Sequence, residues 1–164
     1  MAQWVTHSFG PVWNKDSRVL ILGTMPSPAS RENGFYYSHP RNRFWPVMAA
    51  LLDRPLPVTA EEKRALCLEE GIALWDVLSG CSIEGASDAS IRNPEVNDIP
   101  SLLAQCDIRA VCTTGAAASK LYAAHFGNIG LEHIALPSTS PANARMSLEG
   151  LIEAYRPVLT LLER

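Results

Sequence analysis

Lysine is scarce in this chain. Three of its 14 basic residues are Lys (Lys15, Lys63, Lys120) and the other 11 are Arg. Acids outnumber bases by 17 to 14, for a net charge of −3. A generic nucleic-acid binder advertises a broad basic surface, so this balance excludes a broad electrostatic grip and leaves room only for a local one. Arg grips phosphate with a planar fork, whereas Lys acts as a point charge. The helix-forming tendency of Arg accounts for the same bias, and composition does not choose between the two. Close-set metal ligands are also missing. The four cysteines, Cys67, Cys81, Cys106 and Cys112, form no CxxC pair and have no His at ligand spacing. A zinc or iron–sulfur site announces itself through such spacing, so the reading is no metal and four small, mostly buried side chains in a reducing compartment.

Long apolar runs are absent as well. Every one is cut by a charge, Pro or Gly before the about 18 residues a membrane span needs. The start, MAQWVTHSFG, lacks the basic first segment and apolar centre of a signal peptide, which predicts a cytoplasmic protein with no membrane partner. Low-complexity tracts and internal repeats are missing too. With 47% hydrophobic and 19% charged residues, disorder is excluded. The 164 residues predict one domain over 1–164.

What is present is an alternation of short apolar runs with helical segments. Residues 18–22, RVLIL, fit a strand buried on both faces. The Pro- and Ser-rich TMPSPAS that follows is read as irregular. A helix is predicted from Phe44 or Trp45 to Leu52, with Pro46 in its first turn. Thr59, three residues before Glu62, has the capping-box spacing, and Gly71 ends that second helix. Residues 72–78, IALWDVL, form a second strand, and residues 79–94 read as a long loop. Asp98 caps a third helix through about Cys106. Residues 108–113 form a third strand, and Gly115 opens a helix through about Phe126. Residues 132–136 form a fourth strand. A last helix over about 144–162 is bent near Pro157, with Ser140 or Asn143 as its cap. This order predicts an α/β protein with a parallel sheet and helices on both faces. Ligands in such folds sit beyond the carboxyl ends of the strands.

Three constellations lie at or near those ends. Gly23-Thr24-Met25-Pro26-Ser27 follows the first strand, where glycine permits a close backbone approach and proline sets the chain direction. On this pentapeptide alone, an ordinary strand-exit turn is the preferred reading. Residues 35–45 gather Phe35, Tyr36, Tyr37, Phe44 and Trp45 with Arg41, Arg43, His39 and Asn42. Aromatics interleaved with Arg suit base stacking and phosphate binding. A hydrophobic anchor explains Phe44 and Trp45 well, and the polar residues less well. Residues 136–145, LPSTSPANAR, place three hydroxyls and an Asn between prolines that stiffen the loop.

GTMPS, YYSHPRNRFW and LPSTSPANAR, in this order, resemble the hypoxanthine-DNA glycosylase branch of the uracil-DNA glycosylase superfamily. The resemblance covers nearly the whole chain, including ALWDVL and VCTTG. HPRNRFW together with PSTSPANA is its specific part. It implies a three-layer α/β/α sandwich around a four-stranded, mostly parallel sheet. It also implies a monomeric, monofunctional enzyme of base-excision repair, which flips a deaminated base out of single- or double-stranded DNA and hydrolyses its glycosidic bond, without metal or cofactor.

Residue by residue, the resemblance makes Asn42 the catalytic residue, either positioning water or bonding the base. Gly23, Thr24, Met25, Pro26 and Ser27 line the base pocket with His39 and Phe44, and Tyr36 or Tyr37 stacks on the base. Two departures stand out. Met25 occupies a position where many relatives carry Asp or Asn, and Leu136 one where the uracil branch carries His. His39 is then a candidate to stabilise the leaving base. Ser138, Thr139 and Ser140 would hold phosphates, and Ser140, Pro141 and Ala142 would wedge the helix open. Arg41, Arg43, Asn143 and Arg145 complete the expected DNA contacts. Asp76 is read as capping the loop after its strand, and Asp88 as surface. A uracil or mismatch glycosylase is the alternative within the superfamily. A non-catalytic nucleic-acid or nucleotide-binding module, favoured by Met25 and Leu136, is the alternative outside it.

Overall fold

The computed structural model describes residues 2–163. Along the chain run β1 (Gln3–Thr6), β2 (Val19–Gly23), α1 (Pro28–Asn33), α2 (Phe44–Leu52), α3 (Ala60–Glu70), β3 (Ile72–Asp76), β4 (Leu78–Ile83), β5 (Arg92–Val96), α4 (Ile99–Leu103), β6 (Ala110–Thr114), α5 (Ala116–Phe126), β7 (Glu132–Leu136), α6 (Leu148–Ala154) and α7 (Arg156–Leu162). Four strands form a parallel sheet in the order β3-β2-β6-β7. The central strand β2 is buried at all five residues. Its side chains alternate between layers, as the two-residue period of a strand requires. Val19 and Ile21 join Phe44, Val47, Met48, Leu151 and Val158 on one face. Leu20 and Leu22 join Ile99, Leu102, Tyr122 and Phe126 on the other. Each such side chain, fully buried, stabilises the fold by about 1.5–3 kcal/mol. The predicted three-layer α/β fold with a four-stranded parallel sheet is the observed one.

Local chemistry explains the elements that match. Thr59 and Glu62 form both halves of the capping box on α3, and Gly71 ends it at φ 84°, a left-handed conformation that favours glycine. Asp98 caps α4, although that helix stops at Leu103 rather than near Cys106. The third strand is displaced by two residues at its start, to Ala110. No helix of the described residues is long and apolar enough to cross a membrane.

Several expectations need correction. The stretch read as irregular contains α1: Ser27 caps it, and Pro28 sits in its first turn, where no N–H is needed. Residues 72–78 are not one strand. The chain leaves the parallel sheet after Asp76, where the N–H of Val77 turns to Gly23 O, and restarts as β4. The supposed long loop over 79–94 holds most of β4, a short 3-10 turn at Asp88–Ser90 and the start of β5. With β1, β4 and β5 form a second, antiparallel sheet. β5 is exposed along most of its length and pairs with irregular register, so its sequence carries no apolar alternation. The last helix is two helices meeting at Tyr155, capped by Ser147 rather than by Ser140 or Asn143. Pro157 lies in the first turn of α7, so it helps to start that helix instead of bending a longer one.

The four thiols are unpaired; Cys67, Cys81 and Cys112 are buried and Cys106 is half-buried. Burial pushes the Cys67 and Cys112 thiols up to about 12, which removes the thiolate that reactivity requires.

Candidate active site

The carboxyl ends of the parallel strands open onto a cavity of about 420 Å³. Register brings its floor together. Gly23 at the end of β2 lies beside Asp76 at the end of β3, and Thr114 ends β6 on the other side. Gly23 is required there by space. A Cβ on it would stand 2.5 Å from Asp76 Oδ1 and 3.5 Å from the Tyr37 hydroxyl.

All five residues of the GTMPS turn line the cavity, together with Tyr36, Tyr37, His39, Asn42 and residues 138–142. Arg31 steadies that turn by donating to Pro26 O at 2.8 Å. Phe44 does not line the cavity. It is fully buried and stacks beneath Tyr37, with centroids 3.9 Å apart and planes 13° from parallel.

The two tyrosines differ sharply. Tyr36 is 2% exposed, donates to Gly10 O at 2.8 Å and packs edge-on against Phe9 and Phe35. Tyr37 adopts a left-handed φ of 53°, a rare conformation for a bulky residue. Its ring is half-buried on Phe44, and its hydroxyl lies 3.3 Å from Thr114 Oγ1. Burial first, and the charge of Asp76 second, raise both phenols well above the usual range.

Asn42 is fixed by its oxygen. Oδ1 accepts from the Phe44 N–H at 2.9 Å and from the Thr139 hydroxyl at 2.8 Å. Two donors on one oxygen settle the orientation of the amide. Its Nδ2 makes no hydrogen bond within the protein among the described residues, and the residue lines the cavity. His39 is oriented by a similar device. Its Nδ1 accepts the backbone N–H of Arg41 at 3.0 Å, so the proton of the neutral ring sits on Nε2.

The loop over residues 137–146 is held by side chains from far away in sequence. The Arg43 guanidinium donates to Met146 O, to Asn143 O at 2.8 Å and to Ser140 O at 3.4 Å. Tyr155 donates to Pro137 O at 2.5 Å, and Asn143 Nδ2 to Ser138 O at 2.9 Å. Three of the residues expected to contact DNA have partners within the protein. Arg43 braces the loop from within. Thr139, 1% exposed, clips Asn42 instead of facing a phosphate, and the Asn143 amide closes its own loop. Ser138, Ser140 and Pro141 are partly exposed and Ala142 is exposed. Arg41 and Arg145 are exposed and form no ion pair among the described residues.

Sequence reasoning missed two acids. Asp76 does not cap a loop. The residue is 4% exposed, lines the cavity and meets His7 Nε2 at 2.8 Å through Oδ2. Asp88 is exposed as a residue, yet it lines the cavity rim. Burial of its carboxyl raises its pKa, against a smaller opposing influence of the Thr24 hydroxyl. Asp76 was readable from its strand-end position beside the GTMPS strand. Nothing in the sequence points to His7, which reaches the floor from just past β1.

An α/β/α frame whose cavity lies at the carboxyl ends of the strands, walled by the GTMPS turn, by His39 and Asn42 and by residues 138–142, defines a class. Residues 11–159 match the family model of the uracil DNA glycosylase superfamily, and the chain belongs to that superfamily. Among its relatives, a hypoxanthine DNA glycosylase of Methanosarcina acetivorans is 34% identical over 145 residues, covering 87% of this chain and 91% of that one. A hypoxanthine DNA glycosylase of Methanosarcina barkeri is 30% identical over 139 residues, covering 84% and 87%. The fold also matches a solution NMR structure of a Methanosarcina acetivorans protein described as a candidate uracil DNA glycosylase. That match has a TM-score of 0.80 and 29% identity and covers 96% of this chain and 99% of the other.

Proposed function

We propose that this protein is a monofunctional DNA glycosylase that excises hypoxanthine from deoxyinosine in DNA, as a step of base-excision repair. The observation that carries the reading is the Asn42 carboxamide. Its oxygen is tied down by Phe44 N–H and Thr139, so it offers the cavity a fixed N–H donor. In the reaction the C1′–N9 bond breaks and water adds its oxygen to C1′. The base departs as an anion with its charge spread over the ring, and the proton that the attacking water loses then neutralises it to free hypoxanthine. A donor already aimed at developing charge acts without reorganising, which is the strongest single device enzymes use. Asn42 Nδ2 and the Nε2–H of His39 are the two donors assigned to that task. Neither needs to remove a proton, which accommodates Met25 in place of a carboxylate or carboxamide.

Tyr37, backed by Phe44, is the stacking surface for the flipped base; Tyr36 belongs to the core. Ser138, Ser140, Pro141 and Ala142 form the exposed strip facing the backbone, with Arg41 and Arg145 as phosphate partners. Flipping costs a few kcal/mol and least for a mispaired base, which suits hypoxanthine opposite thymine. The small footprint accommodates a monomer acting on one lesion.

The test is incubation of a labelled inosine duplex, followed by alkali and by chromatography of the released base. Free hypoxanthine with an alkali-labile site is expected from the wild type and not from Asn42→Asp. Tight binding with no release would establish the non-catalytic alternative. Faster release from uracil than from inosine duplexes would move the substrate to the uracil branch.

A further inference from the structure

The connection between β4 and β5 forms part of the cavity mouth, and the catalytic reading gives it no task. Gly85, Ala86 and Asp88 line the cavity, although all three are exposed residues. The segment is closely tied. Ser90 Oγ donates to Ser87 O at 2.6 Å and accepts the Glu84 N–H at 2.8 Å. The Ser87 N–H reaches Glu84 O, and the Ile91 N–H reaches Asp88 O. Arg92 donates to Ile91 O at 2.8 Å, so its guanidinium is engaged by the backbone. Two acids line the cavity among the described residues, Asp76 and Asp88. Asp76 is buried and held by His7. Asp88 stands at the mouth and forms no ion pair among the described residues. A carboxylate held there without a counter-charge is unfavourable in the empty protein, and it becomes favourable once a positive charge arrives beside it.

We infer that Asp88 is a catalytic residue of the cavity mouth, whose carboxylate faces the sugar and stabilises the positive charge that develops there as the glycosidic bond breaks. The inference rests on the glycosylase reading of the cavity. A base that enters the cavity brings its sugar only as far as the mouth, because the sugar stays tied to the strand outside. As C1′–N9 breaks, its electron pair leaves with the base, and positive charge spreads over C1′ and the ring oxygen of the sugar. Asp88 stays ionised throughout; it takes no proton and forms no bond. Its attraction grows only as that charge develops, so it acts on the transition state more than on the bound substrate. The tied turn holds the carboxylate in place before reaction, so little reorganisation is needed. The donors of Asn42 and His39 then serve the leaving base, and the anion of Asp88 serves the sugar.

The test uses single-stranded oligonucleotides that differ at one residue, so that base pairing does not enter. One carries a pyrrolidine nucleotide, whose ring ammonium stands in for the charged sugar. The other carries its neutral tetrahydrofuran isostere. At fixed salt the wild type is expected to bind the pyrrolidine strand about tenfold tighter, the size of one partly screened charge pair. In Asp88→Asn that ratio should fall to within about twofold on the same basis. Asp88→Glu should keep part of it. Glu61→Gln, which removes an exposed acid of α3, should keep all of it. Single-turnover release of hypoxanthine should drop about tenfold or more in Asp88→Asn, with affinity for a cleavage-resistant 2′-fluoro-2′-deoxyinosine strand unchanged. Burial penalises the Asp88 charge, so Asp88→Asn is expected to fold; Asp88→Ser is the second neutral variant. Equal affinity of the wild type for the two analogues overturns the inference. So does a neutral Asp88 variant with the wild-type ratio, or the same loss in Glu61→Gln. The glycosylase reading fails separately. A wild type that prefers the pyrrolidine strand through Asp88 yet releases no base from deoxyinosine keeps the anion at the mouth and loses that reading.

Discussion

The two walls of the cavity are held in different ways. On one wall, Asn42, Arg43 and Thr139 stitch the residues before α2 to the loop after β7 through hydrogen bonds spanning about a hundred residues of chain. On the other wall, a buried acid from β3 leans on a single histidine from the N-terminal segment. The first wall offers donors on a cross-braced frame. The second offers an acceptor beside a glycine that makes room for it. The pocket thus has its donors on one side and its acceptor on the floor.

The comparison breaks most readily at Asn42. Asn42→Asp keeps the oxygen that Phe44 N–H and Thr139 use but removes the N–H donor. Single-turnover base release should fall about 10²–10³-fold with little change in melting temperature. Asn42→Ala should lose the same rate and about 1–2 kcal/mol of stability, because two donors lose their acceptor. Equal melting temperatures for the two variants would return Asn42 to a purely chemical role.

Arg43→Ala comes next. It releases three loop carbonyls, and the expected loss is about 2 kcal/mol in denaturant melts, with base release down about tenfold or more from misplacement of the loop. If Arg43 contacted phosphate instead, the loss would appear in DNA affinity and salt dependence with stability intact. Arg145→Ala should show that second pattern. Binding should weaken several-fold, and the slope of log affinity against log salt should flatten by about 0.9, measured by anisotropy titration. An unchanged slope removes Arg145 from the interface.

The smallest effect on stability is expected at Asp88. Burial raises the pKa of its carboxyl, so the folded state holds the proton more firmly than the unfolded chain does. Stability from this group is present at acid pH and declines as pH rises through its raised folded value. Asp88→Asn should therefore flatten that decline and raise the neutral-pH melting temperature slightly. A steeper decline in the variant would show that the Thr24 bond outweighs burial.

Much of the fold was legible. RVLIL and VCTT read as strands because a strand buried on both faces carries almost no charge, whereas EHIAL is a half-exposed edge strand. Thr59, Glu62 and Gly71 read as helix ends because capping is local chemistry. The antiparallel sheet was not legible, since β5 is exposed and polar and β4 is broken by irregular pairing. The site divides along the same line. Asn42, the GTMPS turn and PSTSPA stood out by composition. Thr139 and Arg43 looked like DNA contacts because hydroxyls and guanidinium groups suit phosphates. Their partners across the cavity became visible only in three dimensions.

The sequence by itself determined the order of elements, the buried parallel sheet and the polar loops at its carboxyl edge, because periodicity, capping and turn chemistry act over a few residues. It also determined that any grip on nucleic acid is local, since net charge adds without regard to position. Tertiary structure alone decided which groups are spent on the protein itself and which remain to meet a ligand. Strand register set Asp76 beside Gly23, chain return brought His7 to Asp76, and a hydroxyl 97 residues away tied down the oxygen of the Asn42 amide. Hydrogen-bond partners are chosen by distance in space, and no local pattern in the chain encodes that distance.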